Sequence, residues 1–415
     1  MVTTVPVHEQ TGVATPRPPL TTAEGVAVVE HDDLPASGDV VVVGGGASGL
    51  AIAHAIAVRD PGRHITVLER RRATWAPHHT WCHWDEGINP VPGAVTATWT
   101  RWEVRTDGQV VVASDVDHPY RMVSARGYHA AMRRRLEATG RVDVVMGAAV
   151  QDAGATSVRT SRGELIAATV IDARAASPTA PLSRGRTRLF QRFAGQWIRT
   201  DRPVFDPTTV TLMDFTGRGG DDVAFMYVLP VSATEALVES TVLTKHHATH
   251  LPFHEDIASY LEDRWGLAAG QWTIEGQESG CIPMTDEPAP ADGPAAVGSA
   301  GGLTRPSTGY AYSRIHRHAR RVADALRRGD TPPVFRDPWR IRLLDAVFLR
   351  FLRDQAPLAP DVFARMFQLP GPLVIRFLTE RSTLRDEIRL VLALPKIPFL
   401  RAAFTTCRER LRRST

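Results

Sequence analysis

The sequence predicts an α/β protein in which a Rossmann-like domain holds an inserted mixed β-sheet and is followed by a helical C-terminal region. Three observations support this prediction. A β-branched run at 39–43 leads into a glycine-rich turn and a helix-like apolar stripe. Strand-like segments dominate residues 189–243, and helical periodicity extends from 313 to the end of the chain. Alternating strands and helices indicate a parallel sheet with covering helices, whereas a block of consecutive strands indicates a separate sheet.

The glycine-rich turn has the pattern of a dinucleotide-binding site. It reads Gly44-Gly45-Gly46-Ala47-Ser48-Gly49, and the next strand, at 65–68, ends on Glu69, twenty residues after the last glycine. In such a βαβ unit the glycines permit the tight turn, the approach of a pyrophosphate and close packing of helix and strand, while the acid binds a ribose hydroxyl. The alternative is a structural glycine turn. The pattern favours an adenine dinucleotide bound by Gly44, Gly46, Ala47, Ser48, Gly49 and Glu69.

The composition is that of a globular protein and argues against several other classes. Of 415 residues, 43% are hydrophobic and 23% charged, and the net charge is +4. The three cysteines are far apart, so neither a disulfide framework nor a metal site is predicted. The basic residues lack the interleaved aromatics that would indicate a nucleic-acid partner. Residues 1–37 lack the basic start and apolar core of a signal peptide and are predicted to form a flexible leader.

The order of segments predicts a discontinuous cofactor domain. It is assembled from residues 38–175 and 295–328, apart from an excursion at 73–120. That excursion and residues 176–294 are predicted to form a substrate-binding domain, because a strand block inserted into a dinucleotide fold usually builds the floor of a substrate cavity. Residues 329–415 are predicted to be a helical region that closes this cavity.

The C-terminal region alternates apolar clusters with arginines from Trp339 onward. Large apolar faces flanked by cations suit a helix that rests on an anionic lipid surface. The alternative is an amphipathic bundle with a solvated basic face. The uncharged stretch at 40–58 has four glycines and changes from strand to helix period, so it is assigned to the cofactor fold rather than to a membrane span.

Four further segments narrow the cofactor to a flavin. They are His78-His79-Thr80-Trp81-Cys82, Val170-Ile171-Asp172-Ala173-Arg174, Leu237-Val238-Glu239-Ser240-Thr241 and Arg305-Pro306-Ser307-Thr308-Gly309-Tyr310. In this order and spacing, together with the glycine turn, they resemble the flavin-dependent lycopene cyclase family of bacteria and plants. The resemblance extends from about residue 39 to 326, and more weakly into the tail.

Three positions depart from the patterns of related flavoproteins. The family often has Asn where His78 stands, and a second acid where Ser240 stands. Flavin hydroxylases have Asp where this chain has Ser299, and the cyclases generally lack that Asp. The last departure therefore favours a cyclase over a hydroxylase.

The resemblance implies a lycopene β-cyclase that uses reduced FAD without net redox change, with NAD(P)H as the reductant of the flavin. Lycopene would be converted through γ-carotene to β-carotene by closure of its ψ-ends. A membrane-resident substrate implies a cytoplasmic protein associated peripherally with the inner face of the membrane. The cofactor site would also include Asp172 and the loop residues Pro306, Thr308, Gly309 and Tyr310. Core packing is the alternative role for Asp172 and Arg174.

The resemblance also suggests catalytic residues. Glu239 stands at the position of the family's essential acid, and its apolar flanks would desolvate the carboxyl, raise its pKa and keep it protonated. A solvent-facing residue of an alternating strand is the alternative. Asp214 matches another family acid and would orient Glu239 or hold a charge near a cation; a structural hydrogen bond is the alternative. Trp81 would offer a π-face to a cation, or be a core tryptophan.

Two other functions remain open from the sequence. One is a redox enzyme on the same fold, a prenyl reductase or an aromatic hydroxylase, which would couple NAD(P)H oxidation to product. The other is a membrane-docked carotenoid or flavin carrier without catalytic activity. For the carrier, replacing Glu239 would change nothing measurable.

Overall fold

The computed structural model describes residues 34, 37–72, 78–88, 91–175, 177–290 and 292–411. The predicted leader, residues 1–37, lies almost entirely outside the described residues, as do residues 73–77 of the predicted excursion. The strands are β1 Ser37–Val43, β2 Ile65–Glu69, β3 Thr80–Trp84, β4 Val95–Trp99, β5 Arg101–Thr106, β6 Gln109–Ser114, β7 Tyr120–Ser124, β8 Val142–Met146, β9 Val150–Ala153, β10 Ser157–Thr160, β11 Gly163–Asp172, β12 Arg188–Thr200, β13 Thr209–Asp214, β14 Val223–Pro230, β15 Glu235–Thr244, β16 Trp272–Thr285 and β17 Ala295–Ala296. The helices are α1 Ala47–Arg59, α2 Ala125–Glu137, α3 Phe253–Trp265, α4 Tyr312–Arg327, α5 Trp339–Asp354, α6 Ala359–Phe367, α7 Gly371–Leu378, α8 Leu384–Ala393 and α9 Lys396–Leu411.

The first sheet is the core of the Rossmann-like domain. Its order is β8-β2-β1-β11-β10-β9, with β17 also paired to β11. Strands β8, β2, β1 and β11 are parallel, whereas β10 and β9 are antiparallel additions. Residues Val40–Val43 of β1 are buried on both faces of the sheet, as expected for a parallel strand covered on both sides. Helices α1, α2 and α4 contribute to the apolar cluster on one of these faces.

The second sheet has the order β16-β12-β15-β14-β13-β5-β6 and is antiparallel except for the β13–β5 pair. Alternate residues of β15 belong to different clusters. Ala236 and Val238 pack with Ile257 of α3. Leu237 and Leu243 belong to the cluster that includes the C-terminal helices α5–α9. The sheet therefore lies between α3 on one face and the C-terminal helices on the other.

A third sheet, in the order β3-β7-β4, joins the other two. Trp84 and Trp99 belong to the cluster of the large sheet, whereas Val123 belongs to that of the Rossmann-like domain. The predicted excursion 73–120 is thus divided in the structure: β5 and β6 extend the large sheet, and β3 and β4 form the small sheet with β7.

The C-terminal helices cover the large sheet. On α9, Phe399 stacks against Phe351 of α5 with ring centroids 4.6 Å apart, and Ala402 is buried beneath the same helix layer. Among the described residues, each helix taken alone is too short or too polar to cross a membrane; α8 and α9 pass by length and composition only as a pair, bent by 117°.

Candidate functional site

The glycine turn between β1 and α1 has the geometry that its sequence predicts. Gly44 has a φ of +104°, and a Cβ on Gly49 would lie 1.9 Å from the Gly44 carbonyl oxygen, so only glycine fits there. Glu69 Oε2 accepts the Gly45 N–H at 2.8 Å, which holds the acid beside the turn. Helix α1 begins at Ala47 with Gly46 as its N-cap.

This turn fits the adenosine and pyrophosphate of FAD. The Ser48 hydroxyl is fully buried at the N-terminus of α1 and has no hydrogen-bond partner in the described part of the chain. A buried donor without a partner and a helix N-terminus next to it suit a phosphate group. Glu69 retains lone pairs beyond those that accept the Gly45 and Arg71 N–H groups. The cofactor roles of these residues nevertheless stay predictions.

Asp172 supports the same turn from β11. Its carboxylate forms a bidentate pair with Arg174, with an Arg174 nitrogen 2.7 Å from Oδ2, and its carbonyl accepts the Val297 N–H at 2.8 Å. The adjacent Ala173 backbone lies 3.3 Å from the position of a Cβ on Gly44. The segment at Asp172 and Ala173 therefore connects β17, which follows the strands of the large sheet in sequence, to the glycine turn.

The loop 305–310 is fixed by its ion pair with α5. Arg305 is fully buried and donates to both oxygens of Asp345, and the Ser307 hydroxyl donates to Asp345 Oδ1 at 2.7 Å. Gly309 has a φ of +73°, and a Cβ there would meet Gln191 at 2.7 Å. This anchoring directs the loop toward the large sheet.

A cavity of about 190 Å³ lies between the Rossmann-like domain and the large sheet. Ala47 and the loop residues Thr308, Gly309 and Tyr310 form one wall, whereas Pro306 is outside its lining. The opposite walls come from the large sheet and from α5–α7. Their apolar residues are Phe193, Leu212, Met213, Phe225, Leu229, Leu237, Leu243, Ile282, Met284, Phe348, Phe363, Met366, Phe367, Phe377 and Leu378.

Glu239 faces this cavity from the middle of β15. Its carboxyl accepts the Thr241 hydroxyl at 2.7 Å and has no ion-pair partner among the described residues. Burial, and then the nearby Glu278, raise the pKa of Glu239 to about 8, against the opposing effect of the Thr241 hydrogen bond. Near neutral pH this group is therefore a buried, protonated acid at the edge of an apolar space.

A second carboxyl in the cavity, Glu278 on β16, was missed by sequence reasoning. In the strand register Glu239 and Glu278 both pair with Gly195 of β12, one from each side. Glu278 accepts the Thr80 hydroxyl at 2.7 Å and the Thr80 N–H at 3.3 Å. Burial raises the pKa of Glu278 to about 7, while the Thr80 bonds oppose that rise. Residues 275–279 are too polar to predict a buried strand around Glu278. The alternation of Ile282 and Met284 is the one sequence signal that could have indicated this strand.

The other polar groups of the cavity are neutral. The Tyr227 hydroxyl donates to that of Tyr120 at 2.6 Å, and the Tyr310 hydroxyl lies 3.5 Å from Tyr120. Burial raises the pKa of Cys82 and of Tyr310 to about 12, and it raises the pKa of the Tyr120 and Tyr227 phenols well above the ordinary value. In the described chain, acidic, histidine and cysteine side chains do not form a group that could hold a metal ion.

Trp81 lines the cavity beside the glycine turn. Its ring makes an edge contact with Tyr128, at 5.3 Å between centroids, and a tilted contact with Tyr312 at 6.3 Å. The Tyr128 hydroxyl in turn donates to the Ala47 carbonyl. Trp81 is partly exposed to the cavity, a position compatible with the predicted π-face.

Asp214 does not lie with Glu239. Its carboxylate accepts the Tyr260 hydroxyl at 2.8 Å and pairs with Arg264 at 3.1 Å, and it is outside the cavity lining. Between Thr211 and Asp214, β13 has one residue more than its partner strand. Such a bulge moves the next side chain to the other face of a sheet. The structure thus supports the structural hydrogen bond for Asp214, not a place beside Glu239.

Ser240 is also on the face opposite the cavity. It is fully buried, and its hydroxyl donates to Asp256 of α3 at 3.0 Å. A second acid at this position would point toward α3. The departure from the family pattern therefore removes no carboxyl from the cavity.

Two solved structures resemble this chain over most of its length. A geranylgeranyl bacteriochlorophyll reductase-like protein from Thermoplasma acidophilum has a TM-score of 0.58 and 13% identity, covering 89% of this chain and 99% of that one. A flavoprotein/dehydrogenase from Cytophaga hutchinsonii has a TM-score of 0.56 and 14% identity, covering 85% and 99%. At such identities the likeness shows the fold alone, and it confirms the predicted fold class.

Sequence comparison gives the family. A lycopene beta-cyclase from Pseudescherichia vulneris is 28% identical over 394 residues, which cover 87% of this chain and 95% of that protein. The family model described as lycopene cyclase protein matches residues 39–404. The match includes the glycine turn, the loop 305–310 and both carboxyl-bearing strands of the cavity, and the chain therefore belongs to the lycopene cyclase family.

Proposed function

We propose that this protein is a lycopene β-cyclase that closes the ψ-ends of lycopene into β-ionone rings. The observation that carries the proposal is Glu239, a buried carboxyl that has no ion-pair partner in the described part of the chain and faces an apolar and aromatic cavity beside the dinucleotide turn. Ring closure requires a proton to be delivered to an alkene carbon, for which a desolvated, protonated carboxyl is suited. Membership of the family and the names of its curated relatives support the same reaction.

FAD is the proposed cofactor. The glycine turn and Glu69 would hold its adenosine and pyrophosphate, and residues 306–310 would contact the isoalloxazine ring. When bound in its reduced form, FAD supplies an electron-rich face without net oxidation, and NAD(P)H is the proposed donor that reduces it. The chemistry of the chain itself then concerns the placement of protons.

Glu239 begins the reaction as a general acid. Its O–H bond breaks as a C–H bond forms at C2 of the polyene, which leaves a tertiary cation at C1. The π electrons of C5=C6 then form the C1–C6 bond, and loss of the C6 proton gives the β-ring. Burial keeps the phenols and the Cys82 thiol next to Glu239 protonated, and the protonated groups are less nucleophilic toward the cation than their anions. Trp81 would add a π-face to the same wall.

The position of Glu239 favours the reaction of one end at a time. Glu239 faces the cavity from β15, and the two ψ-ends lie at opposite ends of the polyene, so that each end must reach this acid in turn. Sequential closure through γ-carotene to β-carotene follows from such an arrangement.

The outer face of α8 and α9 is the proposed membrane contact. On α9, apolar residues at helical spacing are solvent-exposed, with Ile397, Leu400 and Phe404 each about two-thirds exposed at 65%, 67% and 66%. The exposed Arg401 and Arg408 flank them. Such a face suits an anionic lipid surface. The opposite side of α9 packs on α5, whose Phe348 lines the cavity, so a membrane bound at this face would lie near the cavity. The cytoplasmic surface of the membrane is the location proposed with this contact.

Vesicle sedimentation tests this contact. We expect the protein to sediment with phosphatidylcholine vesicles that contain phosphatidylglycerol at low salt, and Leu400→Glu to weaken that binding. Val116→Glu is the control, because Val116 is also exposed, at 76%, but lies between β6 and β7 and belongs to neither α8 nor α9. Full recovery of the wild-type protein in the supernatant would refute the membrane proposal.

An anaerobic assay tests the cyclase. Purified protein is incubated with liposomal lycopene and chemically reduced FAD in the absence of NAD(P)H, and the carotenoids are separated by chromatography. Monocyclic and dicyclic products of unchanged mass, with the flavin still reduced, are expected. An absence of conversion in a sample that oxidises NAD(P)H with other prenyl substrates would instead identify a reductase or hydroxylase.

A further inference from the structure

Two carboxyls face the cavity, yet the reaction as proposed assigns a task to only one of them. Glu239 on β15 and Glu278 on β16 flank Gly195 on β12. A Cβ on Gly195 would lie 3.6 Å from Glu239 Cβ and 3.3 Å from Glu278 Cγ. Because Gly195 has no side chain, the two carboxyls are not separated by one and lie next to one another on the same wall of the cavity.

The hydrogen bonds of these carboxyls differ. Each oxygen of Glu278 accepts a donor from Thr80, one from the hydroxyl and one from the backbone N–H. Glu239 accepts one donor, from Thr241 on Oε1, so that Oε2 is available to carry a proton. Donors on both oxygens favour a carboxylate, whereas a desolvated carboxyl with one oxygen undonated favours the acid.

The surroundings of Glu278 contain no cation that would hold it permanently ionised, as far as the described residues show. The titratable groups that face it are Glu239 from β15 and Cys82 from β3, with Tyr227 of β14 beyond Glu239. Burial places the pKa of Glu278 near 7, below that of Glu239 near 8. Two neighbouring groups with unequal proton affinity form an acid–base pair.

We propose that Glu278 is the catalytic base that removes the C6 proton after Glu239 has protonated C2. This inference rests on the proposed cyclase function. The C6–H bond breaks, its electron pair forms the C5=C6 double bond of the β-ring, and the proton forms an O–H bond on Glu278. One proton has then left Glu239 and another has reached Glu278. Transfer of the proton on Glu278 to Glu239, through the space that Gly195 leaves between them, restores the starting state.

The ring type provides the test, because the same C5 cation gives different rings according to which proton leaves. Glu278→Gln should lower the rate of β-ring formation by about 100-fold or more. Its residual products should be enriched in rings formed by proton loss from C4 or from the C5 methyl group. Glu275→Gln is the matched control, since Glu275 lies on the same strand and pairs with Arg199 away from the cavity.

A second variant covers the case in which Glu278→Gln does not turn over. Thr80→Val removes the hydroxyl donor from Glu278 and should move the acidic limb of the rate–pH profile to higher pH, because the carboxylate loses stabilisation. A purely structural role would lower the rate and leave that limb in place. Glu278→Asp should retain the limb and the β-ring product.

The outcomes separate this inference from the proposed function. If the wild-type protein cyclises lycopene while Glu278→Gln gives β-rings at the wild-type rate, the base assignment is wrong and the cyclase stands. An unmoved limb in Thr80→Val also overturns it. If the wild-type protein itself does not cyclise lycopene, both proposals fall. Flavin content and melting temperature of each variant report on folding.

Discussion

The two faces of the large sheet contain the same kind of side chain in opposite chemical settings. On the face toward α3, Asp214 lies within hydrogen-bond distance of Arg264, and Glu103 pairs with the same arginine. On the cavity face, the donors to Glu239 and Glu278 among the described residues are hydroxyl and backbone groups. A carboxylate held by a guanidinium stays ionised, whereas a desolvated carboxyl without a cation retains its proton. Only the second setting keeps a protonated carboxyl in position to protonate an alkene.

This difference arises from the two-residue period of a strand and from one bulge. Along β15, the alternation places Glu239 in the cavity and Ser240 against α3. On β13, the extra residue between Thr211 and Asp214 changes the alternation, so that both Leu212 and Met213 line the cavity. One inserted residue thus decides whether an acid belongs to the reaction space or to an ion-pair cluster.

The largest expected effect is on catalysis from the cavity face. Glu239→Gln should reduce ring formation by about 10²- to 10⁴-fold, the usual contribution of a positioned general acid, because the amide has no proton to deliver to C2. FAD binding should be unchanged, since Glu239 is away from the glycine turn. Product formation by chromatography and flavin absorbance are the two measurements.

Glu235→Gln is the control for this variant. Glu235 lies on the same strand, but it pairs with Arg199 at the surface. It should keep the wild-type turnover. Equal activity of Glu239→Gln and Glu235→Gln would remove the distinction between the two settings and favour a carrier over an enzyme.

Much of the fold was predictable because local patterns determine it. The glycine turn and its distance to Glu69 specify the βαβ unit, and the strand-like segments predicted at 189–243 agree with β12–β15. The apolar flanks of Glu239 likewise indicated its burial. These features depend on residues close together in the chain.

The rest of the site depends on long-range pairing. Glu278 meets Glu239 only because β16 and β15 both pair with β12, and the sequence around Glu278 is too polar to predict a buried strand. The segment Leu212-Met213-Asp214-Phe215 has no glycine or other sign of a bulge, so nothing local in the sequence distinguished the family-based role beside Glu239 from the structural hydrogen bond that the structure shows. Tertiary contacts decide both positions.

An intermediate effect is expected on stability from the opposite face. Asp214→Asn should lower the free energy of unfolding by about 2–3 kcal/mol, the contribution of hydrogen bonds to a charged group, because Arg264 and Tyr260 lose a charged acceptor. The rate per folded molecule should stay within about two-fold of wild type. Denaturant unfolding and active-flavin titration measure the two quantities. A large loss of turnover in the folded variant would return Asp214 to the catalytic residues.

The effect that is smallest per pH unit is the contribution of Glu239, on the cavity face, to the pH dependence of stability. The pKa of Glu239 is raised from 4.5 to about 8 in the folded protein, so between these pH values the folded state binds a proton that the unfolded state has released. Stability must then decrease as pH rises through this window, by at most about 1.4 kcal/mol per pH unit for this group. Glu239→Gln removes that decrease. The unfolding free energy of this variant should therefore rise relative to that of the wild type from about pH 4.5 to 8. Outside this range the two free energies should differ by a constant amount. Glu235→Gln should run parallel throughout. Curves for Glu239→Gln and the wild type that stay parallel from about pH 4.5 to 8 would mean that Glu239 is ionised in the folded protein, and an ionised Glu239 has no proton to give to the polyene.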